Sequence, residues 1–388
     1  MNHFNKPINR LNTSSLKWDS IKIRTEKENV LPFWVADSDY MTAKPIMEAL
    51  TSRIKNGAFG YTYVDQEYLE IVKNWVWRRY QYQIEKDWIV TTPGIVPALF
   101  FAINALTTPE AKIIIQSPVY NPFYSVIINN NRKILENKLL PIDNTYQMDF
   151  INLEALLKEG AEMMILCSPH NPVGRVWTEA EILKVVKLCK QYNCLLVSDE
   201  IHCDLVFKEY PFTSIGKYFH LYDKMIICTA PSKTFNIAGL MTSNIIIKDL
   251  TLREKFKREL SIRSIGDPNL FGIEACKAAY TKCDDWLEAQ VKHIQKNAML
   301  VNQYFKKHIP EAKIAKLEGT YLMWIDMRFM HLTSETLVKK LIDYGIFVNP
   351  GAMYGADYDG FIRLNIACPQ QQLQKGLEII GKFVAEYK

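Results

Sequence analysis

The sequence predicts an α/β protein with a mostly parallel, doubly wound sheet, followed by a smaller α+β domain. Three observations predict this class. Short apolar runs alternate with helical patterns between about residues 87 and 250. The alternation gives way to longer helices and few strands after about residue 275. The chain has 388 residues, about half of them apolar, which is too long for one compact core and favours two domains.

Five apolar runs in the first region predict strands that are buried on both faces, because they lack the polar alternation of a half-exposed strand. These runs are 112–116, 163–167, 194–198, 225–229 and 243–247. A helix is predicted between the second and third runs. Thr178 and Glu181 form a capping box there, and apolar residues follow at helical spacing to about residue 192.

The second region predicts a long helical stretch, one strand and two further helices. These elements span 275–308, 320–327, 334–345, with Gly345 as a stop, and 370–387. The first 45 or so residues show no regular pattern of strands and helices of their own, so we expect them to join the smaller domain. The predicted division is an N-terminal segment over 1–45, a large domain over 46–285 and a small domain over 286–388.

Composition and charge exclude several classes of protein. The formal net charge of +5 is small for this length and too diffuse to indicate a nucleic-acid partner. The polar N-terminus does not resemble a secretory signal, and the longest apolar run, 98–106, is too short for a membrane span. None of the eight cysteines forms a C-x-x-C pair. We therefore expect reduced, buried thiols in a cytoplasmic protein rather than disulfides or a metal site.

Polar residues of a reactive kind follow three of the predicted strands. Asn171 lies in the loop "SPHNPVG", Asp199 follows "CLLVS", and Lys233 follows "MIICT". They are 28 and 34 residues apart, about one crossover each, so parallel strands would bring them to one edge of the sheet. Each residue alone has an ordinary interpretation, as a turn former, a helix cap or a solvated cation. Complementary groups at three separate strand ends favour a functional site.

The segments "SPHNPVGR", "SDEIH" and "APSKTFNIAG" resemble the signature segments of fold-type-I pyridoxal-phosphate enzymes, in order and in spacing, over nearly the whole chain. The resemblance implies that family's fold, with a large domain built on a mostly parallel, seven-stranded sheet, and pyridoxal 5′-phosphate as cofactor. It implies that Lys233 bonds to the cofactor aldehyde and later takes the proton from the substrate's α-carbon. Asp199 would pair with the protonated ring nitrogen, and Asn171 would donate a hydrogen bond to the phenolic oxygen.

The phosphate of such a cofactor needs hydrogen-bond donors. Gly94, Ile95 and Val96 lie at a glycine turn that enters a helix, and free backbone N–H groups at a helix start bind anions. Ser232, next to the lysine, could add a hydroxyl. Tyr120, in "SPVYNPF", would lie over the face of the cofactor ring and act in catalysis by helping to hold Lys233 in its neutral form; the alternative is a plain core aromatic.

Two further residues are assigned through the resemblance. Tyr61, in "GAFGYT", resembles the tyrosine that reaches the phosphate from a partner subunit, which implies a homodimer with shared active sites; alone, it is typical of a loop aromatic. Arg363, in "FIRLNIAC", would bind the substrate α-carboxylate with both arms of its guanidinium. The alternative for Arg363 is an exposed cation on an edge strand.

Local features distinguish branches of this family. Many close aminotransferases carry an arginine eight residues after the lysine and a tyrosine three residues after the aspartate, where this chain has Met241 and His202. With "LPFWVADSDY" (31–40), these features resemble the MalY/PatB-type branch, the cystathionine β-lyase-like C–S lyases. Ser38 and Tyr40 depart from that branch's usual "WVADMDF", and we expect both near the active-site entrance. His202 is counted with the residues around the cofactor, either supporting the ring region or packing.

The resemblance implies a pyridoxal-phosphate-dependent carbon–sulfur β-lyase. Its reaction would be α,β-elimination of L-cystathionine or a related cysteine S-conjugate to a thiol (homocysteine), pyruvate and ammonia. An aminotransferase of the same fold is the alternative, and it would need a 2-oxo acid. A non-catalytic interaction protein is a third reading, which the intact Lys233, Asp199, Asn171 and Arg363 disfavour.

Overall fold

A computed structural model describes residues 3–387, which contain fifteen strands and thirteen α-helices. The strands are β1 (Leu31–Pro32), β2 (Ile89–Thr92), β3 (Lys112–Ile115), β4 (Lys133–Glu136), β5 (Leu140–Ile142), β6 (Thr145–Gln147), β7 (Met163–Cys167), β8 (Leu195–Asp199), β9 (Met225–Thr229), β10 (Ser243–Ile247), β11 (Lys313–Ile314), β12 (Leu322–Asp326), β13 (Ile346–Phe347), β14 (Asn349–Pro350) and β15 (Phe361–Asn365).

The α-helices are α1 (Ile21–Thr25), α2 (Lys44–Asn56), α3 (Gln66–Tyr80), α4 (Ile95–Leu106), α5 (Pro122–Ile128), α6 (Phe150–Lys158), α7 (Glu179–Gln191), α8 (Pro231–Thr234), α9 (Leu250–Ile262), α10 (Leu270–Lys282), α11 (Asp284–His308), α12 (Ser334–Tyr344) and α13 (Gln370–Tyr387). Short 3₁₀ helices span His3–Asn5, Lys86–Trp88, Ile215–Tyr218, Ala238–Leu240, Arg328–Met330, Gly351–Tyr354 and Ala356–Tyr358.

Seven strands form the large sheet, in the order β2-β10-β9-β8-β7-β3-β4. β10 pairs antiparallel with both of its neighbours, and the other pairs are parallel. The prediction of a mostly parallel sheet is therefore confirmed. All five predicted strands belong to this sheet, with bounds within one residue of those predicted. The predicted capping box at Thr178 and Glu181 is also present, at the start of α7.

The large sheet is buried on both faces, which explains its continuous apolar runs. Alternate side chains of β9 enter separate clusters, with Ile226 and Cys228 on one face and Met225 and Ile227 on the other. Every residue of β7, β8 and β9 is buried. All eight cysteines are buried and free, as predicted. Within residues 3–387, no helix has both the length and the apolar character needed to cross a bilayer.

The register of the parallel strands sets the position of the polar loops. Cys167 at the end of β7 lies opposite Asp199 of β8, and Asp199 lies opposite Cys228 of β9. The loop that carries Asn171 follows β7, and α8, which carries Lys233, follows β9. The sheet therefore brings these three residues to one edge, as the spacing predicts.

A second sheet contains four antiparallel strands in the order β11-β12-β15-β14. β1 pairs in parallel with β13, which ties the N-terminal segment to the C-terminal region. α12 ends where Gly345 adopts a φ of 101°, a conformation that favours glycine. The helical stretch predicted over 275–308 is present, but it consists of two helices, α10 and α11, which meet at Cys283.

Candidate active site

Lys233 lies on the single turn of α8, directly after β9. Its Nζ donates a hydrogen bond to the backbone oxygen of Ala36, at 2.7 Å. Burial lowers the pKa of the amine to about 8; Asp37 and Asp199 raise it and Arg363 lowers it further. The uncharged amine, which is the form that acts as nucleophile and base, therefore forms at a lower pH than in an ordinary lysine.

Asp199 is the last residue of β8 and is 4% exposed. Its Oδ1 accepts a hydrogen bond from the backbone N–H of Ile201, at 3.1 Å. Within residues 3–387, no basic side chain lies within 4.0 Å of its carboxylate. Burial raises the pKa of Asp199 to about 7, although Lys233 opposes the shift. A buried carboxyl in this position would gain from a cationic partner in the neighbouring cavity.

Arg363 lies on β15, between β12 and β14, and is 3% exposed. The exposed edge-strand alternative is therefore wrong. Its Nη1 donates to Oδ1 of Asn171 at 3.2 Å, and its Nη2 donates to the backbone oxygen of Trp34 at 2.7 Å. Its Nε has no partner, and it forms no ion pair in the described part of the chain. Such a buried cation fits an anionic ligand.

The contact with Arg363 also orients Asn171. Its Oδ1 faces the guanidinium, so the amide nitrogen is left as the group that donates. The residue is 4% exposed and lines the same cavity as Lys233. This orientation suits the predicted hydrogen bond to a phenolic oxygen.

Tyr120 and His202 also line the cavity. Tyr120 is only partly buried, and burial raises its pKa to about 12. His202 is 3% exposed, and its ring packs edge-on against Tyr321 with centroids 5.7 Å apart. Burial, Lys233 and Arg363 together lower the pKa of His202 to about 3, so the imidazole is neutral. Its Nδ1 has no partner among the described residues.

The start of α4 forms the other end of the cavity. Gly94, just before the helix, has a φ of 151° and a ψ of 164°, a conformation that favours glycine. The first N–H groups of a helix have no partner within it, and Pro97 has no N–H. Gly94, Ile95 and Val96 all line the cavity, so the N–H groups at this helix start are the candidate donors for an anion.

One cavity of about 300 Å³ brings most of the predicted site together. The predicted residues that line it are Gly94, Ile95, Val96, Tyr120, Asn171, Asp199, His202, Ser232 and Lys233. A buried carboxyl without an ion pair, an amine with a lowered pKa and the N–H groups of a helix start fit a ligand with a cationic ring nitrogen, an aldehyde and a phosphate. Pyridoxal 5′-phosphate has these three groups. Among residues 3–387, no cluster of His, Cys, Asp and Glu side chains is arranged to hold a metal ion.

Tyr61 lies outside this cavity. Its side chain is fully exposed, in the loop between α2 and α3. Phe59 and Tyr63 of the same loop are also exposed, at 57% and 72%. Within one chain, the structure does not bring Tyr61 to the other predicted site residues.

The segment 34–39 contains a contact that the sequence analysis missed. The backbone oxygen of Ala36 accepts from both Lys233 and the hydroxyl of Tyr321. Arg10 holds the adjacent Asp37 with two hydrogen bonds, at 2.7 and 3.0 Å. Every residue has a backbone carbonyl, so residue type could not point to this contact. The family segment "WVADSD" was the one sequence feature that pointed to this part of the chain.

The expected position of Ser38 and Tyr40 at the entrance is wrong. Both are 0% exposed. The Tyr40 ring packs edge-on against Phe4, and its hydroxyl accepts from Gln290 at 3.0 Å. Gln290 provides the polar partner that a buried tyrosine, unlike a phenylalanine, requires. Tyr40 is therefore part of the packing between the N-terminal segment and α11.

Comparisons with known proteins agree with this site. Residues 28–380 match the model of the family "Aminotransferase class I and II". The chain is 39% identical to cystathionine β-lyase PatB of Bacillus subtilis, over 97% of this chain and 98% of PatB. Its structure matches that of cystalysin from Treponema denticola, which contains pyridoxal 5′-phosphate, with a TM-score of 0.96 and 38% identity over 99% of both chains. The pyridoxal-phosphate-bound C–S lyase of Staphylococcus hominis matches with a TM-score of 0.92 and 29% identity, over 98% of this chain and 97% of that one. This chain belongs to the aminotransferase class I and II family, and its resemblance to the PatB branch of fold-type-I enzymes is confirmed.

Proposed function

We propose that this protein is a pyridoxal-phosphate-dependent carbon–sulfur β-lyase that cleaves L-cystathionine or a related cysteine S-conjugate to a thiol, pyruvate and ammonia. The observation that carries the proposal is the full-length similarity to PatB, a cystathionine β-lyase. The similarity to the S. hominis C–S lyase supports the same reaction class. The cavity around Lys233 supplies the groups that this chemistry needs.

Each site residue has a task that its surroundings support. Lys233, with a pKa of about 8, would hold the cofactor and take the α-proton at Nζ. Arg363 would bind the substrate carboxylate through its free N–H groups, and the carbon–sulfur electron pair would leave with the sulfur. Bound pyridoxal phosphate supplies an electron sink for charge that develops at the α-carbon. Asp199 would hold the ring nitrogen protonated, and its own burial would then be balanced by a cation.

We also propose that the enzyme is a homodimer in which Tyr61 completes the partner's site. Three exposed aromatic residues of one loop, Phe59, Tyr61 and Tyr63, support this proposal, since such a patch is costly in water. The eight buried free thiols support a cytoplasmic location.

The proposed division into an N-terminal segment over 1–45, a large domain over 46–285 and a small domain over 286–388 has support from the two separate sheets and the pairing of β1 with β13.

The competing reaction is transamination, which gives the family its name. A lyase needs no second substrate, whereas an aminotransferase turns over only with a 2-oxo acid. We expect purified holoenzyme given L-cystathionine alone to release thiol and pyruvate in equal amounts. Cysteine, cystine and S-methylcysteine, assayed in parallel, identify the preferred leaving group. Turnover that depends on an added 2-oxo acid, without thiol release, would contradict the proposal.

A further inference from the structure

One end of the cavity contains a hydroxyl that the predicted site does not use. Ser243, the first residue of β10, is 1% exposed and lines the same cavity as Gly94, Ile95 and Ser232. Its Oγ has no hydrogen-bond partner among the described residues. Buried polar groups are nearly always paired, so an unpaired hydroxyl that faces a cavity points to a ligand atom.

The alternation of side chains along β10 fixes the direction of this hydroxyl. Ser243, Ile245 and Ile247 share one face of the strand. Ile245 and Ile247 pack in the cluster that contains Ile95 and Ala98 of α4. Ser243 therefore faces the start of α4, where the free backbone donors lie.

The pairing of β10 with β2 also places Ser243 near the start of α4. Ser243 lies opposite Thr92, two residues before Gly94. The hydroxyl and the N–H groups at the start of α4 can therefore converge on one ligand group.

This end of the cavity has no arginine. Met241, eight residues after Lys233, lines the cavity and is 53% exposed. In the described part of the chain, Lys233 is the only lysine or arginine that lines the cavity, and its amine is bound to Ala36. A phosphate at this end must depend on hydroxyl and N–H donors, so each hydroxyl has more weight than beside a guanidinium.

We propose that Ser243 binds the phosphate of the cofactor by donating a hydrogen bond from Oγ, at an end of the cavity that no arginine lines. This inference rests on the proposed function for the identity of the cofactor. It assigns Ser243 to the binding of a phosphate monoester, not to any proton transfer. The partner of Ser243 is thus the phosphate itself and not the ring or the aldehyde.

The test compares two ligands that differ only in the phosphate. Dissociation constants of the cofactor-free enzyme are measured for pyridoxal 5′-phosphate and for pyridoxal, by equilibrium dialysis without substrate. Ser243→Ala should raise the constant for the phosphorylated ligand about tenfold and leave that for pyridoxal unchanged, since a hydrogen bond to a charged group is lost. The thermal midpoint of the cofactor-free variant should not fall, because the hydroxyl has no protein partner.

Ser198→Ala is the matched control. Ser198 is equally buried, on β8 of the same sheet, but does not line the cavity. It should change neither constant. Unchanged constants in Ser243→Ala would overturn the proposal, and so would an equal loss for both ligands, which would place the hydroxyl against the ring. Neither readout involves lyase activity, so failure of this inference and failure of the proposed reaction are separate outcomes.

Discussion

Asp199 shows how a site residue can lower the stability of the empty protein. The carboxyl is buried without an ion pair among the described residues, and burial raises its pKa to about 7 from the ordinary 3.8. The native state therefore binds a proton more tightly than the unfolded state does. Between about pH 4 and pH 7, the free energy of unfolding of the cofactor-free protein falls as pH rises, and the cost is fully present above pH 7. The protonated ring nitrogen of a bound cofactor would pair with the Asp199 carboxylate and remove this loss of stability.

Replacement of Asp199 by Asn should therefore have opposite effects on the two forms of the enzyme. At pH 8, the cofactor-free Asp199→Asn protein should be more stable than the wild type by up to roughly 4 kcal/mol, with the difference shrinking toward pH 5. The loaded variant should lose most of its lyase activity. Urea denaturation at several pH values measures the first effect. Asp223→Asn, at the exposed opposite end of β9, is the control and should show no such pH dependence. Equal stability of the wild type and Asp199→Asn at pH 8 would contradict the account.

At the residue scale, the sequence allowed prediction of those site residues whose side chains are themselves reactive or complementary to a ligand. Asn171, Asp199 and Lys233 meet because parallel strands place their ends together, and the spacing of about one crossover was visible beforehand. Tyr61 could be assigned only by resemblance, and within one chain it lies apart from the cavity. The oxygen of Ala36 could not be predicted, since every residue has a backbone carbonyl.

At the scale of elements, the segment 34–39 joins Lys233 to Arg363, the arginine proposed to bind the substrate. The backbone oxygen of Trp34 accepts from Arg363, and that of Ala36 accepts from Lys233. Asp37, next to Ala36, is held by Arg10 and also raises the pKa of Lys233. The N-terminal part of the chain therefore influences the protonation of the lysine.

Loss of the Asp37 charge should lower the pKa of Lys233 below its value of about 8, because a nearby carboxylate favours the protonated amine. In Asp37→Asn, the cofactor-free enzyme should capture pyridoxal phosphate covalently at lower pH than the wild type does. The measurement is the capture rate against pH, followed by absorbance. The exposed variant Asp223→Asn should leave the midpoint in place. A midpoint that stays the same or rises in Asp37→Asn would show that this segment does not tune the lysine.

Among the elements, buried strands were the most predictable. β7, β8 and β9 are apolar throughout because both faces are covered, and their bounds were predicted within one residue. β4, an edge strand with exposed and half-buried positions, gave no such run. The break between α10 and α11 was missed because neither glycine nor proline marks Cys283. Whether a strand lies at the edge of the sheet, and where one helix ends and the next begins, depends on the tertiary fold, which the local sequence pattern does not show.

At the scale of the whole molecule, the proposed dimer accounts for an exposed aromatic loop and for a site residue that lies outside the cavity. If Tyr61 acts in the partner's site, a dimer with one Tyr61→Ala chain and one Lys233→Ala chain has one intact site. Random mixing should then restore about a quarter of the wild-type activity, since half of the dimers are mixed and each has one working site. Each variant alone should have little activity. The absence of any gain on mixing, with subunit exchange demonstrated, would contradict shared sites.

The central claim is that the amine of Lys233 is the one joined to the cofactor aldehyde. Sodium borohydride reduces that linkage to a stable bond, and peptide mass mapping then locates it. The account predicts a pyridoxyl group on the peptide that contains Lys233, with full loss of activity. Fully active enzyme in which Lys233 is unmodified, or a pyridoxyl group on another lysine, would contradict it.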